Sequence, residues 1–223
     1  CNGYKDQRYI ETAILARQLG RQPIVVIEQA NDVDLIIKSS HLLGASPLIG
    51  IRAKLSSQSC GRWSSSIGDK SKFGLSIPEI LKAIKRLKEA NLLNELKLLH
   101  FHLGSQINDI GVLKDALQEA GQIYAELINL GAPMGYLDVG GGLGIDYDGS
   151  QTASIASTNY SLQNYANDVV ATIKECCESK KIQLPTLITE SGRAIASHFS
   201  ILIFNILGKN SLPSDIPKQD EQE

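Results

Sequence analysis

The chain has 223 residues, of which 43% are hydrophobic and 21% are charged, and its formal net charge is −2. This composition suits a globular protein with a sizeable core, and the low net charge together with 5% aromatic residues argues against nucleic-acid binding. No apolar run reaches the about 20 residues of a membrane span and no secretory signal opens the chain, so we expect a cytoplasmic protein. The four cysteines, Cys1, Cys60, Cys176 and Cys177, lack zinc-ligand spacing, and we expect free thiols and no metal site.

Helical patterns and short aliphatic runs alternate from the first residues onward. The helical patterns cover residues 6–19, 32–43, 77–90, 111–130 and 162–179, and the aliphatic runs cover 23–28, 47–54, 96–103, 134–140 and 186–190. These runs are largely apolar, which is typical of parallel strands that are buried on both faces. Gly20, Gly44 and Gly131 directly follow predicted helix ends, where the C′ position favours glycine. The alternation predicts an α/β fold.

A doubly wound sheet and a TIM (β/α)8 barrel both fit this alternation. Several predicted strands end in a polar residue, and in a barrel such ends converge on the face that carries the active site. We therefore predict a partial TIM barrel over residues 1–197, with five of the eight strands. The serine- and glycine-rich stretches 54–71 and 141–160 follow strands and are expected over the same face. Residues 199–207, FSILIFNIL, predict a further strand, and the polar residues 209–223 are expected to be disordered.

The first polar strand end lies in LHFHLGSQ, residues 99–106. His100 and His102 would share one face of a strand, with His102 nearer the open end, before Gly104 and Ser105 turn the chain. That arrangement suits an aromatic ring packed against a flat cofactor with an anion close by. The alternative is a pair of buried, hydrogen-bonded histidines, and we assign His100 to that structural role.

The second strand end is DVGGGLG, residues 138–144. Three consecutive glycines let the backbone approach a ligand closely, and their successive N–H groups can form an anion-binding nest. The spacing differs from the dinucleotide fingerprint G-x-G-x-x-G, and no helix follows at once. A phosphate site and a simple tight turn therefore both remain open for this run.

Two further strand ends carry charge. Glu190 ends a predicted strand and Arg193 follows within three residues, so the carboxylate suits a cationic nitrogen and the guanidinium suits a phosphate. A structural pair between Glu190 and Arg193 is the alternative. Arg52 closes the apolar run IGIR and needs an acidic partner or a ligand anion; it would support Glu190 or another carboxylate, or form an exposed ion pair at the rim.

Taken together, these strand ends offer an aromatic ring, a phosphate site and a carboxylate for a ring nitrogen. Pyridoxal phosphate needs this set from a protein. A carboxylate beside the pyridine nitrogen keeps that nitrogen protonated, because an opposite charge within about 4–6 Å favours the cation. The protonated ring can then accept the electrons that remain when an amino acid loses carbon dioxide.

The motifs resemble those of the alanine-racemase-type pyridoxal-phosphate-dependent decarboxylases, which pair a TIM barrel with a β-domain. The resemblance covers about residues 1–207, and within the family the biosynthetic arginine decarboxylases show the best match. It implies that residues 198–208 begin the β-domain. The motifs are CNGYKD (1–6), IGIRAKL (49–55), KSKFGLS (70–76), LLHFHLGSQI (98–107), YLDVGGGLGIDYDGS (136–150) and TESGRAIASH (189–198).

The resemblance also implies roles for individual residues. His102 would stack on the cofactor ring and Glu190 would bind its nitrogen, and these two are the candidate catalytic residues. The candidate cofactor-binding residues, with Arg52 added from its strand-end position, are His102, Ser105, Gly140, Gly141, Gly142, Glu190, Gly192, Arg193 and Arg52. The candidate substrate-binding residues are Leu137, Asp138, Val139, Gly140, Gly141, Gly142, Leu143, Gly144, Ile145, Asp146 and Tyr147.

The implied reaction is the decarboxylation of L-arginine to agmatine in polyamine biosynthesis. The family implies a homo-oligomer, a dimer or tetramer, with Lys72 near a dimer contact, and it alone implies magnesium. The family's cofactor-anchoring lysine precedes CNGYKD and its cross-subunit cysteine–aspartate motif is absent, so we expect the isolated chain to be inactive. The alternatives are a decarboxylase for ornithine or diaminopimelate, a non-catalytic homologue, and a phosphate-binding barrel without pyridoxal phosphate.

Overall fold

The structure, a computed structural model, describes residues 1–56, 73–197, 199–200 and 202–208. Within these residues strands and helices alternate, and a short 3-10 helix, Leu93–Glu95, precedes the third strand. The strands are β1 (Ile24–Ile27), β2 (Leu48–Arg52), β3 (Leu96–His100), β4 (Tyr136–Asp138) and β5 (Thr186–Ile188). The helices are α1 (Gln7–Gln18), α2 (Asp32–Leu43), α3 (Ile77–Glu89), α4 (Ile110–Asn129), α5 (Leu162–Lys180) and α6 (Gly192–Ala196).

The five strands form one parallel sheet whose spatial order follows the order of the chain, β1-β2-β3-β4-β5. A doubly wound sheet reverses its strand order at a switch point, whereas successive βα units of a barrel add neighbours in one direction. The described strands show no reversal. The predicted α/β class is therefore confirmed, and the strand order is that of five consecutive units of a TIM barrel.

Local sequence signals account for the helix ends. The Asp6 side chain accepts a hydrogen bond from the Tyr9 backbone N–H and caps α1. At the start of α3, Ser76 and Glu79 form a capping box, in which each side chain bonds the other's backbone N–H. Gly20, Gly44 and Gly131, predicted to end helices, all have positive φ, at 77°, 56° and 94°.

The observed strands are shorter than the predicted ones, and the difference changes where one candidate residue lies. The ladder of β3 ends at His100, and Phe101 N donates to Asp138 O before Gly104, with φ 128°, turns the chain. His102 therefore lies in the loop after the strand, and the prediction that it shares a strand face with His100 is wrong. The apolar run in the sequence is longer than the strand, because Phe101 and Leu103 in the loop after β3 are also buried.

The core lies between the sheet and the helices that cross over it. In α3, Ile80, Ala83, Ile84 and Leu87 recur at helical spacing and are all buried in the core. Such burial on one face, at about 25 cal/mol per Å² of apolar surface, is the main favourable contribution to the fold. No helix among the described residues is long and apolar enough to cross a membrane.

The remaining predictions concern the strand at 199–207, segments outside the described residues, and the cysteines. The described residues 199–200 and 202–208 form no strand and are exposed, so the strand predicted at 199–207 is absent there. The prediction rested on apolar side chains alone. A strand also needs a neighbouring strand with which its backbone can form hydrogen bonds, and the apolar pattern does not show whether such a neighbour exists. Most of the stretch 54–71, Lys72 and the tail 209–223 lie outside the described residues, as does Cys60. Cys1, Cys176 and Cys177 are free thiols, as predicted.

Candidate active site at the carboxyl end of the sheet

Three loops, which follow β3, β4 and β5, touch one another beyond the carboxyl ends of the strands. The Glu190 N–H donates to the Gly140 carbonyl over 2.9 Å, and the Ile107 N–H donates to the Gly142 carbonyl over 2.9 Å. A Cβ on Gly141 would lie 2.5 Å from the Glu190 carbonyl oxygen, and one on Gly142 would lie 2.6 Å from the Gly104 carbonyl oxygen. The glycine run therefore allows backbone to pack directly on backbone.

His102 faces this junction. Its Nδ1 accepts a hydrogen bond from the Gly141 N–H at 3.3 Å. Partial desolvation lowers the pKa of His102, and the nearby Arg52 guanidinium and His100 lower it further. The imidazole is therefore held in its neutral form near pH 7, which leaves Nδ1 free to accept and presents an uncharged ring to the space above the loops.

Arg193 connects two of the loops. Its guanidinium donates to the Ser105 hydroxyl at 2.8 Å and to the Tyr147 hydroxyl at 2.9 Å. Arg193 is exposed and forms no ion pair with the described residues. A guanidinium and a hydroxyl held together beside a glycine-rich backbone form a suitable donor set for a phosphate. Nothing lies within 4 Å of the Cβ position of Gly192, so a ligand can approach Gly192 from this side.

The carboxylate of Glu190 lies beside a group of polar side chains that sequence reasoning left apart. Asn2 Nδ2 donates to Glu190 Oε1 at 2.9 Å and lies 3.5 Å from His100 Nε2. His100 Nδ1 lies 3.1 Å from Asp138 Oδ2, and both side chains are buried. His100 is buried, as predicted, but its Nδ1 makes no hydrogen bond with the described residues, and its neighbour is an aspartate rather than a second histidine. The contact of Asn2 had no signal in the sequence, because it joins residues 188 positions apart.

Arg52 pairs with Glu28 and not with Glu190. The guanidinium lies 3.1 Å from Glu28 Oε1 and stacks over Phe73 at 5.5 Å from the ring centroid. The side chains of Arg52 and Glu28 are 14% and 2% exposed, so the pair is buried rather than an exposed pair at the rim. The prediction that Arg52 needs an acidic partner is confirmed. Of the carboxylates left open, the partner is Glu28, which directly follows β1, and not Glu190. Glu28 itself could have been found, since it is an acidic residue at the end of an apolar run.

The predicted substrate segment runs from the core to the surface. Leu137 and Val139 are buried in the hydrophobic core, and Leu143 packs there as well. The Asp138 side chain accepts from the Gly140 N–H at 2.9 Å and so braces the glycine run. Gly144, Ile145 and Asp146 are half-buried, and Tyr147 is 47% exposed. Their contact with a substrate remains a prediction.

One group of side chains among the described residues has metal-ligating atoms close together. His100, Asp138 and Glu190 each offer one such atom, all within 4.8 Å of one another. A histidine in the set would suit zinc rather than magnesium, which prefers oxygen ligands. Asn2 donates to Glu190, whereas His100 Nδ1 lies 3.1 Å from Asp138 Oδ2 without a hydrogen bond among the described residues.

Residues 1–197 match the family model described as the pyridoxal-binding domain of pyridoxal-dependent decarboxylases. The chain belongs to this family, whose cofactor is pyridoxal phosphate. The residues present fit that cofactor, because the loops that carry the Glu190 carboxylate, the His102 ring and the Arg193–Ser105 pair meet at one end of the sheet.

The chain is also similar to individual proteins. It is 72% identical over 223 residues to the biosynthetic arginine decarboxylase of Parasynechococcus marenigrum and 73% identical to that of Prochlorococcus marinus. It covers 35% and 34% of those proteins, so it spans about a third of their length.

Solved structures give the same result for the fold. The biosynthetic arginine decarboxylase SpeA of Campylobacter jejuni superposes with a TM-score of 0.76 at 38% identity, over 87% of this chain and 31% of that one. Diaminopimelate decarboxylase of Helicobacter pylori superposes with a TM-score of 0.69 at 26% identity, over 86% of this chain and 44% of that one. In both the similarity extends across nearly all of this chain.

Proposed function

We propose that this chain is the cofactor-binding part of an arginine decarboxylase, which converts L-arginine to agmatine and carbon dioxide. The observation that carries the proposal is the junction of the loops after β3, β4 and β5. That junction brings His102, Arg193 and Glu190 to the same end of the sheet. In a barrel this is the end at which catalytic residues gather.

Each of these side chains has a distinct task in the proposal. Glu190 holds a proton on the ring nitrogen of the cofactor, because a carboxylate stabilises the adjacent cation. Arg193 and Ser105, with the backbone of the glycine run, bind the phosphate, and the neutral ring of His102 packs against the face of the pyridine. Bound pyridoxal phosphate supplies an electron sink for the pair of electrons left by carbon dioxide.

L-Arginine is the proposed substrate because relatives at about 70% identity carry the name biosynthetic arginine decarboxylase. Diaminopimelate is the second candidate, since a diaminopimelate decarboxylase shares the fold at 26% identity. We further propose a homo-oligomer in the cytoplasm, on the family resemblance. The assigned roles of Arg52 and of the segment Leu137–Tyr147 in binding cofactor and substrate belong to the same proposal.

The test uses the complete gene product with arginine, ornithine and diaminopimelate as separate substrates. We expect agmatine from arginine and little turnover of the other two. Glu190→Ala should reduce decarboxylation by about two orders of magnitude or more, because general electrostatic stabilisation at one site commonly contributes that much. The matched control is Glu89→Ala, which removes an exposed carboxylate on α3.

Two outcomes would contradict the proposal. Near-normal turnover of the Glu190→Ala protein would refute the role of that carboxylate. A complete gene product that binds no pyridoxal phosphate would favour a non-catalytic homologue or a phosphate-binding barrel instead.

A further inference from the structure

Asn2, which lies outside the strand-end motifs, donates a hydrogen bond to the carboxylate of Glu190. Its amide nitrogen has two N–H donors, and two acceptors lie near it: Glu190 Oε1 at 2.9 Å and His100 Nε2 at 3.5 Å. The Asn2 residue is itself exposed, so its position is set by what holds its backbone and not by burial of its side chain.

The backbone around Asn2 is fixed on both sides. The Val26 N–H donates to the Cys1 carbonyl over 3.0 Å, and the Gly3 N–H donates to Glu28 Oε1 over 2.7 Å. On the far side of the turn, Lys5 Nζ donates to the Gly3 carbonyl over 2.5 Å.

Lys5 is itself locked in place. Its fully buried ammonium lies 3.5 Å from a carboxylate oxygen of Asp32, which also accepts from the Glu28 N–H over 2.9 Å. A buried lysine with this partner does not move freely, because separating the charges would leave one unpaired. The turn is therefore rigid where it presents Asn2.

His100 can offer an acceptor to Asn2. Its Nδ1 lies 3.1 Å from Asp138 Oδ2 without a hydrogen bond in the described residues, and the nearby negative charge favours a proton on Nδ1. Nε2 then carries a lone pair and can accept from the amide of Asn2. Asp138 also accepts from the Gly140 N–H, so one chain of contacts runs from the glycine run to Glu190.

We propose that Asn2 is a positioning residue, whose amide donors fix the Glu190 carboxylate in the orientation that meets the ring nitrogen of the cofactor. The proposal deepens the proposed function and rests on it, because it assigns a partner to Glu190. The second carboxylate oxygen of Glu190 stays available for the ring. Without the amide the carboxylate can rotate and must be ordered by the cofactor itself, which weakens cofactor binding.

The test measures the affinity of the complete gene product, stripped of cofactor, for two probes. One is pyridoxal phosphate and the other is its analogue with carbon in place of the ring nitrogen, which has nothing for Glu190 to bind. Asn2→Ala should weaken binding of pyridoxal phosphate about tenfold, the usual size for a hydrogen bond to a charged group. The same variant should change the affinity for the carbon analogue less than about twofold.

Two further variants sharpen the result. Asn2→Asp has the same shape but cannot donate, and it adds a negative charge beside Glu190, so its loss should be at least as large as that of Asn2→Ala. Asn129→Ala is the matched control, because it removes an exposed asparagine that bonds Glu126 at 3.4 Å on α4. It should leave both affinities unchanged.

The outcomes separate this inference from the function on which it rests. Equal losses for both probes, or no loss in Asn2→Ala or Asn2→Asp, would overturn the positioning role. Glu190→Ala is measured alongside and must selectively weaken pyridoxal phosphate. If it does not, the proposed function fails and the role of Asn2 fails with it; if Glu190→Ala is selective and Asn2→Ala is not, only the role of Asn2 fails.

Discussion

Replacing Gly141 by alanine tests the close packing of the loops after β4 and β5. The new Cβ would lie 2.5 Å from the Glu190 carbonyl oxygen, whereas ordinary contact begins near 3.4 Å, so the two backbones must separate by about 0.9 Å. Backbone, unlike a flexible side chain, cannot rotate away. Overpacking of this kind costs about 1–3 kcal/mol of unfolding free energy, and it also moves Glu190 relative to His102.

Urea unfolding of the complete gene product, followed by circular dichroism, measures the first effect. Titration of the cofactor-free protein with pyridoxal phosphate measures the displacement of Glu190, for which we expect the affinity for the cofactor to fall about tenfold or more. Gly135→Ala is the matched control, because nothing lies within 4 Å of its Cβ position. If Gly141→Ala and Gly135→Ala behaved alike in both assays, the close packing deduced here would be refuted.

Two further predictions concern charge. Glu28→Gln breaks the buried pair with Arg52 and should lower the unfolding free energy by about 3–5 kcal/mol, while Asp34→Asn, which breaks the exposed pair with Arg86, should have little effect in the same urea titration. The pKa of His102 is lower in the folded chain than in the unfolded chain, where it is about 6.5. The neutral His102 side chain therefore contributes fully to the unfolding free energy above pH 6.5, and this contribution is lost as the pH falls through the pKa of the folded chain. His102→Gln should therefore flatten the dependence of the unfolding free energy on pH below about pH 6.5, and an unchanged slope would contradict the assigned shift.

Much of the fold followed from patterns that are local in the sequence. The helical spacing of the apolar residues in α3 and the glycines at helix ends each depend on residues within one or two turns. The grouping of His102 with Glu190 came from a different argument, since parallel strands bring their carboxyl ends to one edge. Neither inference required knowledge of long-range contacts.

The parts that could not be predicted are contacts between distant segments. The acidic partner of Arg52 stayed open because the sequence shows which residues end strands but not which strands are neighbours. Asn2 was passed over for a similar reason, since its donor reaches Glu190 only after β1 to β5 have assembled. His102 was placed on a strand because hydrophobicity continues past the last ladder bond of β3.

The most direct test of the account is a crystal structure of the complete gene product with bound pyridoxal phosphate. We predict that the phosphate contacts Arg193, Ser105 and the backbone of the glycine run, and that Glu190 lies within about 3.2 Å of the ring nitrogen. A cofactor bound at another face of the sheet, or a ring nitrogen with no carboxylate near it, would contradict the central claim.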